Sequence, residues 1–123
     1  MTNKKERSSN LSALQNQLKL NEKLENQKFI AQTITQITKD FGRCNLEIHF
    51  AGLIDQESLE DAILKEIQSL SSEKLQQLIY IIDIPESEFS KLLGMEFFFR
   101  ALAEKILRRE ALKVFIRENI QLP

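Results

Sequence analysis

One cysteine, one histidine, three glycines, two prolines and no tryptophan leave little of the usual chemistry in this 123-residue chain. A lone cysteine, Cys44, forms no disulfide within the chain and supports no multi-cysteine zinc site. A lone histidine, His49, excludes paired-histidine metal sites and the HExxH pattern. Three scattered glycines exclude a glycine-rich phosphate loop. No calcium-loop spacing occurs among the acids, so the sequence implies no metal and no cofactor. No run of apolar residues approaches the length of a transmembrane helix. With 17 basic and 18 acidic residues the net charge is −1, which excludes a globally basic nucleic-acid binder.

What is present suits one helical domain. The length fits a single domain that buries roughly two-thirds of its unfolded surface. Leu11 to Leu20 follow a basic N-terminus, but polar residues between the leucines prevent a signal-peptide core. The expected location is the cytoplasm, which agrees with a single free thiol. Charge is uneven: +3 over residues 1–40, −6 over 41–94 and +2 over 95–123. Basic and acidic parts are expected to face each other, within the chain or between copies.

Residues 1–9 have no apolar anchor and read as a disordered tail. Residues 10–41 contain neither glycine nor proline, which predicts one long N-terminal helix ending at Gly42. Its apolar residues fall in groups, Leu11–Leu14–Leu18, then Leu20–Leu24, then Ile30–Ile34–Ile37–Phe41, and the groups do not share a heptad phase. A helical bundle domain is expected over 42–123. Residues 44–50 alternate apolar and polar, as an extended segment does. That segment either lies on the helices or pairs as a strand between copies. Asp55 and Ser71-Ser72 read as helix starts, Pro85 fixes another, and Gly94 ends a short helix. Residues 79–84 are rich in β-formers, but Leu75, Leu78, Ile79 and Ile82 are at helical spacing, which favours helix. A last helix is expected from about Met95 to Asn119.

That last helix is apolar on two sides. Met95, Phe99, Leu102, Ala103, Ile106, Leu107 and Val114 share one face. Phe98, Leu112, Phe115 and Ile116 lie roughly opposite, with Phe97 nearby. Such a helix is central to a bundle, or its second stripe binds a partner. Glu110 falls inside the first face and must be paired or hydrogen-bonded if buried. Lys113 is three residues on, and Tyr80, His49 or Arg43 could reach it from elsewhere. A structural pair is the simple reading; a tuned acid or base needs a second catalytic group, and the sequence shows none. Replacing Glu110 with Gln is expected to lower stability modestly. Lys105, Arg108 and Arg109 belong to a basic run that would suit phosphates, yet Glu104, Glu110 and Glu118 are interleaved with it. Cys44 and His49 sit on opposite faces of the alternating segment, which argues against a Cys–His dyad. The acids at Asp55, Glu57, Glu60 and Asp61 are what a stable first turn requires.

The stretches LQQLIYIIDIPESEF (75–89) and LAEKILRREALKV (102–114) resemble those of small, uncharacterised helical proteins of bacteria. The resemblance implies a helical domain in a cytoplasmic setting, and no catalytic residue. Together these readings predict a mainly α protein and a non-enzymatic interaction module. It would self-associate through the N-terminal helix and the second stripe of the last helix, or bind a protein partner, with Phe97, Phe98, Leu112, Phe115 and Ile116 as the contact residues. The alternative is a nucleic-acid-associated regulator using Lys105, Arg108 and Arg109. An enzyme would need Glu110, His49 and Tyr80 to converge.

Overall fold

The computed structural model describes residues 19–50 and 55–119, and among them the chain is mainly helical with no strand. A helical stretch at 19–23 precedes five helices: α1 (Gln27–Gly42), α2 (Gln56–Gln68), α3 (Ser72–Ile82), α4 (Glu86–Leu93) and α5 (Phe98–Asn119). The tail expected over 1–9 and the start of the long helix lie outside the described residues.

Within them, the single helix expected over 10–41 is broken. The chain turns at Leu24 and Glu25, and Asn26 caps a new helix. The Asn26 side chain accepts hydrogen bonds from the backbone N–H of Lys28 (2.9 Å) and Phe29 (3.2 Å). No glycine or proline marks the break. An Asn side chain offers the backbone an alternative to helix, and burial of both Leu24 and Phe29 makes that alternative the better one. Asn26→Ala should lower stability by about 1 kcal/mol in urea unfolding; an unchanged midpoint would mean that the cap contributes nothing.

The end of α1 also differs from expectation. Gly42 is the last helical residue, and Asn45 takes the left-handed conformation (φ 59°). Leu46 N–H donates to the Phe41 carbonyl at 3.0 Å and Asn45 N–H to the Gly42 carbonyl at 3.0 Å. This is a Schellman end, and its hydrophobic contact joins Leu46 to the core beside Phe41. Asp83 (φ 69°) ends α3 in the same way, with Ile84 N–H donating to Ile79 at 3.1 Å. Residues 79–82 are therefore helix, and Ile-Asp-Ile-Pro is a helix end, a buried anchor and a new start.

Asp55, Ser71 and Pro85 open α2, α3 and α4 as expected. Residues 46–50 are neither helix nor paired strand. Cys44, Leu46, Ile48 and Phe50 nonetheless turn toward the core, while Asn45, Glu47 and His49 are exposed. The period-two pattern records a segment lying on helices.

α5 is the central element and packs against each of the other four helices. Leu102, Ala103, Ile106 and Leu107 meet Ile37 and Phe41 of α1, Leu59 and Ile63 of α2, and Leu78 and Ile82 of α3 in one core. Each fully buried aliphatic side chain here contributes roughly 1.5–3 kcal/mol. A smaller cluster joins Leu20, Leu24 and Phe29 to Ala111 and Val114 of α5.

Candidate functional site

Two features stand apart from ordinary packing: a polar network between α1 and α5 with two buried carboxyls at its centre, and an open apolar groove between α4 and α5. The network begins with Glu110, fully buried among Leu107, Ala111 and Val114. Asp40, also buried, faces it from α1. Asp40 Oδ2 accepts from Lys113 Nζ at 2.7 Å and from Gln36 Nε2 at 3.2 Å. Lys113 Nζ is 3.6 Å from Glu110 Oε1 and donates to the Ile81 carbonyl of α3 at 3.4 Å. Arg117 Nη1 donates to Gln36 Oε1 at 3.0 Å, which fixes the amide so that its nitrogen points at Asp40.

Two carboxyls in one dry site do not both ionise. Burial pushes Glu110 up to about 9, with the hydrogen bond to Asp40 and its charge adding to the rise and Lys113 opposing it. Burial also pushes Asp40 upward, but hydrogen bonds from Glu110, Lys113 and Gln36 outweigh it and hold Asp40 below its ordinary value. At neutral pH, Glu110 is thus the neutral donor and Asp40 the charged acceptor. As a carboxylate, Glu110 finds no donor for either oxygen; as an acid it donates to Asp40. The sequence identified Glu110 as a buried group in need of a partner. The partners are Asp40 and Lys113; Tyr80 and His49 are exposed to solvent instead, and Arg43 is exposed at the end of α1.

The groove has a volume of about 540 Å³ and follows α5 from Ala101 to Leu112. Leu92, Met95, Ala101 and Leu112 make its apolar wall, with Leu20 at one end. Lys105, Arg108 and Arg109 line it too, so the structure brings three basic candidates and one apolar candidate into one place. Each of the cations has an acidic neighbour. Lys105 lies 3.3 Å from Glu88, Arg108 3.4 Å from Glu104, and Arg109 2.9 Å from Asp83. The basic run is a charge-paired rim. Arg100, away from this run, pairs with Glu60 and Asp61, which joins α5 to the acidic start of α2.

The second stripe is divided. Phe98 packs edge-on against Phe89 at 5.8 Å, and Phe115 covers the smaller cluster. Phe97 is 70% exposed and Ile116 also faces solvent. Met95 and Phe99 lie outside the core that the sequence predicts for them: Met95 because residues 94–97 form a turn outside the helical phase of α5, and Phe99 in the first turn of α5 at 36% exposure. Met95 is 50% exposed and Leu93, at the end of α4, is 60% exposed. Leu93, Met95, Phe97 and Phe99 are thus all exposed around the α4–α5 turn, the α4–α5 corner, and Met95 also lines the groove. The signal for it was the turn residue Gly94, which cuts the helical phase one residue before Met95.

Cys44 and His49 point apart as expected, Cys44 inward and His49 outward. Burial raises the Cys44 thiol against the pull of Lys74 and Arg43, so it stays protonated. Among the described residues, no group of three or more His, Cys, Asp or Glu side chains is placed to hold a metal ion. No described helix is long and apolar enough to cross a membrane. No family model, curated protein or solved structure matches the chain.

Proposed function

We propose that the chain is a non-enzymatic helical interaction module that self-associates or binds a protein partner through the α4–α5 corner. The observation that carries this reading is the exposed set Leu93, Met95, Phe97 and Phe99 beside an apolar groove. Single exposed apolar residues are ordinary, but four large ones within seven residues, with Met95 lining an apolar groove, favour a contact surface. The burial of Glu110 and Asp40 supports the non-enzymatic side of the reading. Glu110, the acid shifted furthest, is fully buried and does not line the groove, so no substrate reaches it there. A cytoplasmic setting belongs to the same proposal.

The ion-paired rim weighs against the nucleic-acid alternative, since phosphate binding would first have to break three acid–base contacts. Phe97→Glu tests the corner. The side chain is largely solvated, so the unfolding free energy should stay within about 0.5 kcal/mol of the parent, as for an ordinary surface substitution. Association, read by light scattering or by partner binding, should be lost. Retained association would place the contact elsewhere.

A further inference from the structure

We propose that the last turns of α5 and residues 19–29 form a unit that opens without the rest of the fold, and that loss of the proton held between Glu110 and Asp40 drives the opening. α5 is held in two different ways along its length. Phe98, Leu102, Ala103, Ile106 and Leu107 belong to the main core or pack on it, and no described residue of α5 beyond Leu107 does. From Glu110 onward the helix meets α1 through polar groups, Lys113 with Asp40 and Arg117 with Gln36. Its apolar side chains there, Ala111, Val114 and Phe115, pack instead with Leu20, Leu24 and Phe29. Among the described residues, the buried polar side chains are Thr33, Gln36, Asp40 and Glu110, all on α1 and α5. A small apolar cluster set apart from the core by a polar boundary is the kind of region that opens by itself.

The proton couples to that boundary. Around Glu110 stand Asp40 from α1, with Gln36 bonded to it, Lys113 from α5, and the Ile81 carbonyl from α3, which Lys113 also reaches. Charged groups of α2 and α4 meet α5 farther back, Glu60 and Asp61 at Arg100 and Glu88 at Lys105. Asp83 is engaged by Arg109, and Lys23 reaches Glu118. One cation thus serves two buried carboxyls, and one of the two keeps its proton while the site is closed. Burial, with Asp40 adding to it, holds that proton on Glu110 up to about 9; in water Glu110 ionises near its ordinary 4.5. Between these values each pH unit favours the open form about tenfold more. Asp40 adds no slope in that range, since its lowered value lies below 3.8. Leu20 also lines the groove, so opening lengthens the apolar surface exposed along α5.

Native-state hydrogen exchange on the full chain between pH 6 and 8, corrected for the intrinsic exchange rate, tests this. The amides of residues 111–115 should be less protected than those of Ile63 and Ile106 at every pH. Their protection should also fall about tenfold per pH unit. Equal protection in the two sets would overturn the proposal, because the smaller cluster would then open only with the whole fold. Lower protection that does not change with pH would overturn it too, because Glu110 would then stay closed during the opening. The parent protein alone decides both points. In Glu110→Gln the protection of 111–115 should lose its pH dependence; a slope that persists would assign the proton to another group and overturn the coupling.

Discussion

Raising the pH from 5 to 8 should destabilise the protein by up to about 4 kcal/mol, and Glu110→Gln should remove most of that slope. Glu110 holds its proton in the folded state to about 9, against an ordinary value of 4.5. Below 4.5 the acid is protonated in both states and its favourable donation to Asp40 is fully present. Above 4.5 the unfolded chain releases the proton and the folded chain keeps it. Stability therefore falls with rising pH until the folded acid also ionises near 9. Asp40 acts in the other direction: its lowered value stabilises the fold above 3.8, and that contribution is lost as pH falls through the lowered value. The two together put maximum stability in the mildly acidic range. An amide at position 110 donates to Asp40 as the protonated acid does, without titrating. The modest loss expected from the sequence for Glu110→Gln thus changes sign at neutral and alkaline pH. Urea unfolding of both proteins across this range is the measurement, and parallel slopes would mean that Glu110 is not the group responsible.

Lys113→Met should cost about 3 kcal/mol at neutral pH, because it leaves the buried, charged Asp40 without its cation. Lys113 supplies the shortest contact to Asp40, at 2.7 Å, and also ties the Ile81 carbonyl of α3 to the network. Adding Asp40→Asn to the Met variant should recover more than half of the loss, since no charge is then left in the site. Additive losses in the double variant would show that Asp40 and Lys113 stabilise the fold independently.

Much of this architecture is legible in local sequence. Asp55, Ser71 and Pro85 open helices because each satisfies or removes orphan N–H groups within its own first turn, whatever the rest of the chain does. The spacing of Leu102, Ile106 and Leu107 around Glu110 likewise reveals a buried carboxyl from one helix alone. Its partner Asp40 is 70 positions away on α1, and only the packing of α1 on α5 brings the two together. The break at Asn26 was hidden for a related reason. Leu24 and Phe29 must both be buried for the turn to outweigh a continuous helix, and burial is a tertiary fact. Asn45 and Asp83 took left-handed positions that glycine would ordinarily hold, because Leu46 and Ile84 gain core contacts one residue later. The corner at Leu93–Phe99 was misplaced by one assumption, that Met95 shares the helical phase of α5.

The position of α5 sets the order in which the chain becomes a protein. Among the described helices it packs against all four of the others, and it follows them in sequence. On a growing chain, α1 to α4 emerge with their apolar faces uncovered, for short amphipathic helices hold little structure without a surface to pack on. Ile37 and Ile63 wait for Leu102 and Ile106, which arrive dozens of residues later. Until α5 is made, the earlier helices are clients for whatever shields nascent hydrophobic surface; once it is made, they fold together.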